Sequence, residues 1–476
     1  MAMVALTEKG FKAIFNEGVD ATWAHVDKLQ KEHADFYRRL NLDSKNSGKP
    51  PSTDPPKTRR RENAGANSRR KSGKKPGGQF GHKGSTREQV KTPDEIHCSA
   101  PVTCSCGHQF DGSEEVLKIE RRQVTDIPEP QTITREYQAL TCECSNCGNL
   151  KKGTFPAGVK APFQYGNNLR AYVNYLMSYQ LLPYKRTTEL LENLFGLKLS
   201  QGTLKNINLS AASILEEAVE EIKAQLTTSD LVHFDESGLY VEGQRDWLHV
   251  ASNDSLTYYF HHKSRGIEAM DAAGVIASFE GIACHDYWSP YYHYDCAHHL
   301  CNAHHLRDLE GVIQNDGHAW AKSMQEFLRK SNSLVKQLKS EGKEQLSPEK
   351  LKLLLDEYSQ VIKLAYLEIP PPPERKPGQK GRVAKGKSRN LLERFDLRRD
   401  EIIDFVKNFS SPFDNNQAER DLRMIKVKQK ISGSFRSEDM AQGFLTIRSY
   451  ISTAIKQGLS AFDTLADGLL GKHFIS

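Results

Sequence analysis

From residue 230 the hydrophobic period of this chain changes from about 3.6 residues to 2, and that change constrains the fold more than any other feature. LVHFDESGLYV, DWLHVASND and LTYYFHHK are three successive strand candidates joined by short turns. GIEAMDAAGVIASF then reads as a helix, and GIACHDYW as a fourth strand, short and apolar enough to be buried. Upstream, NNLRAYVNYLMSYQLL and KRTTELLENLFG are helical, and Ser200 is a plausible N-cap for QGTLKNINLSAASILEEAVEEI. A helix, a short Gly-containing turn and a helix also suit a helix-turn-helix that docks on DNA; ordinary helical packing is the plainer reading. Downstream, residues 304–368 predict long helices, and PPPP at 370–373 ends them.

The remaining composition narrows the class. The chain has 476 residues, of which 38% are hydrophobic and 26% charged. That suits about three folded domains, not a disordered or collagen-like chain. No apolar run approaches the roughly 18–20 residues that span a bilayer. MAMVALTEKGF lacks the pattern of a secretory signal, so no membrane and a cytoplasmic location are expected.

The net charge of +6 is unevenly spread. Residues 57–91 carry +10 and residues 375–389 carry +7, leaving −11 for everything else. Such blocks attract a polyanion, or merely solvate a linker. In the first arm Arg59, Arg60, Arg61, Arg69, Arg70, Lys71, Lys74 and Lys75 are the DNA-contact candidates. Pro and Gly flank them, which blocks helix and sheet.

Val19, Thr22, Val26, Leu29, His33, Phe36 and Leu40 follow alternating 3/4 spacing. They predict a short coiled coil, or an amphipathic helix packed on its own protein. Six of the nine cysteines fall in residues 96–155, around VLKIERRQVTDIPEPQTITREYQALTC, which predicts short strands. Cys144-x2-Cys147-Gly148 has zinc-knuckle spacing, whereas Cys104-Ser105-Cys106-Gly107 is one residue short. Cys104, Cys106, Cys144 and Cys147 are the candidate ligands of one structural Zn²⁺. Cys98 or Cys142 could substitute, and a degenerate finger with free thiols is the alternative.

Asp235 lies inside the first strand candidate, Asp286 ends the fourth, and Glu419 lies in DNNQAERDLRMIKVKQK, which begins like a helix. Charges in apolar strands are costly unless they are paired or bind a cation. Hard carboxylate oxygens suit Mg²⁺ or Mn²⁺, and two such ions support phosphoryl transfer. Three strands, a helix and a strand resemble the start of a ribonuclease-H-like sheet. Ordinary strand-end acids are the alternative, because spacing does not join Glu419 to the two aspartates.

The chain as a whole resembles the transposases of bacterial insertion sequence 66, within the wider DDE group. NSGKPPSTD and GGQFGHKGSTR match the N-terminal segment, and CSCG and CSNCG match the zinc-finger region. FPAGVKAPFQYG and QLLPYKRTTELLENLFGLKLSQGTL match the helical region. HFDESGLYVEGQRDWLHVASND, HDYWSPYYHYDCAHHLCNAHHLRDLEGV and PFDNNQAERDLRMIKVKQKISGSFRS match the catalytic region, and GLSAFDTLADGL the tail.

The resemblance implies that Asp235, Asp286 and Glu419 are the DDE acids, holding two Mg²⁺ or Mn²⁺ ions. It makes Asn415 and Asn416 the family's paired Asn, orienting water or touching DNA; helix capping is the plainer role. Arg420 and Arg423 become phosphate contacts, with a surface ion pair as the alternative. Cys301 and His304 match a pair better suited to a structural role, and His285, His298, His299 and His305 are left unassigned.

The implied architecture is multidomain α/β. It has an N-terminal helix or coiled coil (1–45), a basic linker (46–95), a zinc-finger-like module (96–155) and a helical DNA-binding region (156–226). A ribonuclease-H-like domain (227–303 and 396–440) follows, split by a helical insertion with a basic arm (304–395), and a helical tail (441–476) closes the chain. The implied activity is DNA transposition: binding terminal inverted repeats, cleaving the ends and joining the 3′-hydroxyl to target DNA. DNA, a homo-oligomer and element-encoded accessory proteins are the expected partners, on the nucleoid. A catalytically silent DNA-binding protein and a nuclease without strand transfer are the rivals.

Overall fold

The computed structural model describes residues 8–47, 87–372 and 385–475. The eight arm residues from Arg59 to Lys75 named above lie outside them, as does 375–384 of the second arm. The chain divides into two compact units, residues 57–135 and the remainder.

In the first unit, an isolated bridge joins Thr103 to Gln109. The strands expected over 116–140 do not form in either unit. Val116, Leu117, Val124 and Ile127 stay exposed, so the alternation has no layer to face. Pro128 and Pro130 also remove ladder donors.

The larger unit begins with helices α1 (Glu8–Asn16) and α2 (Val19–Leu40), followed by a small hairpin of β1 (Thr141–Glu143) and β2 (Leu150–Lys152). On α2 the seam residues Val19, Leu29, Phe36 and Leu40 are exposed. Next come α3 (Asn167–Asn174), a π turn (Tyr175–Tyr179), α4 (Tyr184–Phe195) and α5 (Gln201–Thr227). Gly196 ends α4 in the left-handed region, and the Ser200 side chain accepts from the Thr203 N–H at 3.0 Å to start α5.

The sheet comprises β3 (Leu231–Val241), β4 (Gln244–Ser252), β5 (Thr257–His262), β6 (Ile282–His285) and β7 (Ala297–Leu300), in the order β5-β4-β3-β6-β7. The first three pair antiparallel, while β6 and β7 run parallel to β3. A mixed five-stranded sheet with helices on its faces is compatible with a ribonuclease-H-like transposase. The helix α6 (Ile267–Ala273) makes the crossover to β6 and stops at left-handed Gly274. Gly281 is required before β6, since a Cβ there would stand 2.5 Å from the Ser229 carbonyl oxygen. The four-residue β7 went unread from sequence because AHHL has no period to detect.

The long helices expected over 304–368 form, as three: α7 (Asn302–Asp316), α8 (Ala319–Ser340) and α9 (Pro348–Glu368). With α10 (Lys387–Leu397), α11 (Arg399–Ile402) and α12 (Asp404–Lys407) they enclose their own core around Trp320, Phe327, Tyr358 and Phe395. From the second basic arm, Lys385 and Arg389 both pair with Glu393, at 2.6 and 3.0 Å. The N-terminal turn docks here too. Arg38 pairs with Asp316, and buried Asn46 donates to Gln314 at 2.8 Å. Gly311 leaves room for Asn46, whose carbonyl oxygen would be 2.4 Å from a Cβ.

Three helices close the chain: α13 (Asn416–Ser432), α14 (Glu438–Lys456) and α15 (Ala461–Gly468). Val232, Phe234, Ala251 and Tyr258 face α5 on one side of the sheet. Leu239, Val241, Leu248 and Val250 face α13 and α14 on the other. Helix α14 also covers the free edge of β5. Ser449 and Thr453 accept from the Tyr259 and Thr257 N–H groups, each at 3.0 Å. Otherwise those donors would be buried without partners, which explains two fully buried hydroxyls on an apolar helix. No helix among the described residues is long and apolar enough to cross a membrane.

Candidate active site

Strand β3 places Asp235 on the sheet face that α13 covers, because its cross-strand partner Val250 packs on that side. In the parallel pairing with β6, His233 lies opposite Cys284. Continuing that register by two residues sets Asp235 beside Asp286. Burial, then the charge of Asp286, push the Asp235 carboxyl up to about 7; Glu419 adds to the rise. Two acids far away in sequence, Asp286 and Glu419, therefore act electrostatically on Asp235. Asp235 accepts from the Glu236 N–H at 2.8 Å, and Asp286 accepts from the Trp288 N–H at 3.1 Å.

Glu419 arrives on the first turn of α13. Ala418, Leu422 and Ile425 bury the apolar stripe of that helix against the sheet. Asn415 fixes where the helix starts. Its Nδ2 donates to the Phe234 carbonyl at 2.7 Å, so its Oδ1 faces the His233 Nδ1 at 2.7 Å. That network assigns the proton to His233 Nδ1. The Asn415 backbone N–H donates to the Cys301 sulfur at 3.1 Å, and burial pushes that thiol up to about 12. Asn415 thus stands at the N-cap, but its side chain makes no capping bond and instead ties α13 to β3. Cys301 has the structural role expected of it, and the backbone N–H of His304 bonds to the Cys301 carbonyl at 3.2 Å.

Asn416 is half-buried, with its backbone N–H on the Asp414 side chain at 3.1 Å. Arg420 bonds Gln417, and Arg420 and Arg423 are both exposed. Arg307 was not foreseen. It reaches from α7 to Glu419 at 3.3 Å. Its position, three residues beyond His304 on one helical face, was the available signal. Burial pushes His285 down to about 3, so it stays neutral, stacked on Tyr291 and 3.0 Å from His298.

Glu236 was also missed. It lies on the opposite sheet face, where Tyr291 donates to it and Arg265 stands 3.1 Å away. Burial, then the charge of Asp235, raise it to about 8. Arg265 lies 3.9 Å over Trp288 and 5.1 Å from the centre of the Trp247 ring. Through Trp288 this cluster supports the loop that holds Asp286.

Three carboxylates are the donor set that a hard divalent cation prefers, and the raised Asp235 marks a place where positive charge is wanting. The residue types therefore fit such an ion. Among the described residues, no group of three or more His, Cys, Asp or Glu closes into a ligand set, and Glu419 is turned to Arg307.

The two cysteine pairs, each in its own unit, form similar turns. Cys104 N–H bonds the His108 carbonyl, and Gly107 N–H bonds Cys104, at 2.8 and 2.9 Å. Cys144 N–H bonds the Asn149 carbonyl, and Gly148 N–H bonds Cys144, at 2.9 and 2.8 Å. Both glycines have the positive φ that the turn needs, 93° and 70°. The one-residue deficit of Cys104-Ser105-Cys106 thus still gives a knuckle-like turn. Backbone donation from Cys106 lowers the Cys104 thiol, and donation from Asn146 lowers Cys144.

Among known proteins, the family model described as the transposase IS66 family matches residues 162–443, more than half of the chain. A second, described as a family of unknown function (DUF6444), matches residues 13–88. No curated protein matches the chain.

Proposed function

This chain belongs to the IS66 family of transposases, and from that premise we propose that it binds the terminal inverted repeats of its element, cleaves the DNA ends and joins the 3′-hydroxyl to target DNA. One observation carries the reading: adjacent parallel strands set Asp235 beside Asp286, and α13 brings Glu419 to the same face.

Asp235, Asp286 and Glu419 would hold the divalent ions. Bound Mg²⁺ or Mn²⁺, two per site, would supply Lewis-acid stabilisation of the phosphoryl group and lower the pKa of attacking water. The chain's own residues do the positioning. Asn415 ties α13 to His233 and Phe234 of β3 and to Cys301 after β7, so the Glu419 turn has one register relative to Asp235. Arg307 holds the Glu419 carboxylate and turns to a DNA phosphate once that carboxylate is engaged. Half-buried Asn416 and exposed Arg420 and Arg423 follow one another at helical spacing over the first two turns of α13 and contact the DNA backbone. The arm from Arg59 to Lys75 adds contacts that do not depend on sequence. Cys104, Cys106, Cys144 and Cys147 are the thiolates that would hold a structural Zn²⁺.

Two ends must be handled together, so the active species is an oligomer, and the exposed seam of α2 is its first candidate contact. It works on the nucleoid, with element-encoded accessory proteins as further partners. The test is cleavage of end-containing DNA with Mg²⁺. Asp235→Asn and Glu419→Gln should each abolish cleavage while DNA binding persists. Undiminished cleavage by both rejects the assignment, and cleavage without strand-transfer products points to a nuclease.

A further inference from the structure

A cavity of about 330 Å³ lies between the helical region and the far end of α13, away from the three acids. It is at the small end of the roughly 300–1,000 Å³ range of ligand pockets, so it holds one small molecule or one residue of a polymer. Its charged lining is entirely cationic: Lys185, Lys428 and Arg436. Its remaining walls are of two kinds. Tyr184, Phe435, Phe444, Met177 and Met440 offer flat or polarisable apolar surface. Gln201 and Gln429 offer amides that match the donor and acceptor edge of a heteroaromatic ring.

Lys428 is the unusual member. It is only 6% exposed; among the described residues its Nζ bonds the Leu182 carbonyl at 3.4 Å and lies 5.7 Å from the centre of the Phe444 ring. It makes no ion pair among the described residues, so a buried cation is left without an anion. Burial alone draws it down to about 8. The backbone beside it is irregular as well. The π turn Tyr175–Tyr179 interrupts the helix, and Leu181 adopts φ 62°, rare for a bulky residue. Together they aim the Leu182 carbonyl at Lys428.

We propose that this cavity takes a single unpaired nucleotide of the DNA substrate, with its base against Phe444, Met440 and Tyr184 and its phosphate on Lys428, Lys185 and Arg436. The inference rests on the DNA-transposase reading and deepens it. Lys428 lies nine residues beyond Glu419 on α13, about 14 Å along the helix axis, or about four steps of a B-form strand. The helix that carries the third acid therefore also fixes the distance from the cleaved bond to the captured nucleotide. A base drawn from the stack leaves the strand register fixed by one side pocket.

The test uses the full chain in metal-free buffer, titrated calorimetrically with dAMP, dTMP, 2′-deoxyadenosine and inorganic phosphate. Both nucleotides should bind saturably with Kd at or below about 1 mM. Deoxyadenosine and phosphate should each bind at least ~10-fold more weakly, since each keeps only half of the contacts. Lys428→Met should weaken dAMP binding at least ~10-fold. Ser432→Trp, at the exposed rim, should do the same by filling the mouth, which covers the case in which the buried substitution disturbs folding. No saturable nucleotide binding, phosphate binding as tight as dAMP, or undiminished dAMP binding by both variants overturns the proposal. If dAMP binding fails while Asp235-dependent cleavage of end DNA stands, only the pocket falls. If dAMP binds as stated and end DNA is not cleaved, the transposase reading falls and the nucleotide site remains.

Discussion

Replacing Asp235 by Asn should stabilise the metal-free protein, even though the residue is the first acid of the proposed site. In the folded chain the Asp235 carboxyl titrates near 7, against 3.8 for the free side chain, because it is buried beside Asp286. Between those values the folded state binds more protons than the unfolded one. Wild-type stability therefore falls as pH rises from about 4 to about 7, then levels off. Three pH units at about 1.4 kcal/mol each give a penalty near 4 kcal/mol above pH 7. Asp286 and Glu236 share the interaction, so ~2–4 kcal/mol is the expected gain for Asp235→Asn at about pH 8. At about pH 4.5 the gain should shrink below ~1 kcal/mol, since the wild-type carboxyl is already neutral. Urea titration in chelator, followed by tryptophan fluorescence, reads this directly, because Trp247 and Trp288 belong to the same sheet and its support. Magnesium should narrow the gap at about pH 8 by supplying the missing charge to wild type alone. Equal midpoints for the two proteins at both pH values would refute the argument.

Asn415→Ala should cost ~2–4 kcal/mol, because it strips partners from buried His233 and Phe234. It should also lower end cleavage more than DNA binding, because Glu419 loses its register. Lys428→Met should raise stability by ~2–3 kcal/mol near pH 7, and that advantage should fade as pH climbs from about 8 to 10.5. The sign follows from a lysine lowered on folding: the unfolded chain binds more protons in that window, so wild type gains stability there. Purified protein under reducing conditions should carry about one zinc per chain by metal analysis, and the joint replacement Cys144→Ser with Cys147→Ser should remove it.

The helical stretches around 167–227 and 302–368 were legible because they are long and their apolar positions repeat at a helical period. The same signal failed at 116–140, where alternation without a facing layer produced no strand. It was silent at β7, four residues of Ala, His and Leu paired with β6. On α2 the seam gave the helix and its register. Its neighbour Asn46 and its own Arg38 are engaged by α7, which spacing along α2 could not reveal.

By itself the sequence determined the change of period at 230, and with it three antiparallel strands carrying Asp235. It also determined the Ser200 cap and the cysteine turns. These are local facts, set by side-chain alternation, capping and backbone geometry over a few residues. Spacing did not join Glu419 to Asp235 and Asp286; the resemblance implied the trio, and the tertiary structure brings the charges of Asp286 and Glu419 to bear on Asp235. That depends on Asn415 bonding across 181 residues to Phe234, and no spacing rule encodes such a distance. The tertiary structure likewise left Lys428 buried without a counter-charge among the described residues, turned Arg307 toward Glu419, and closed the edge of β5 with two hydroxyls from α14. A charge, an ion pair or an edge acquires its meaning from what surrounds it, and those surroundings come from chain segments that folding alone brings together.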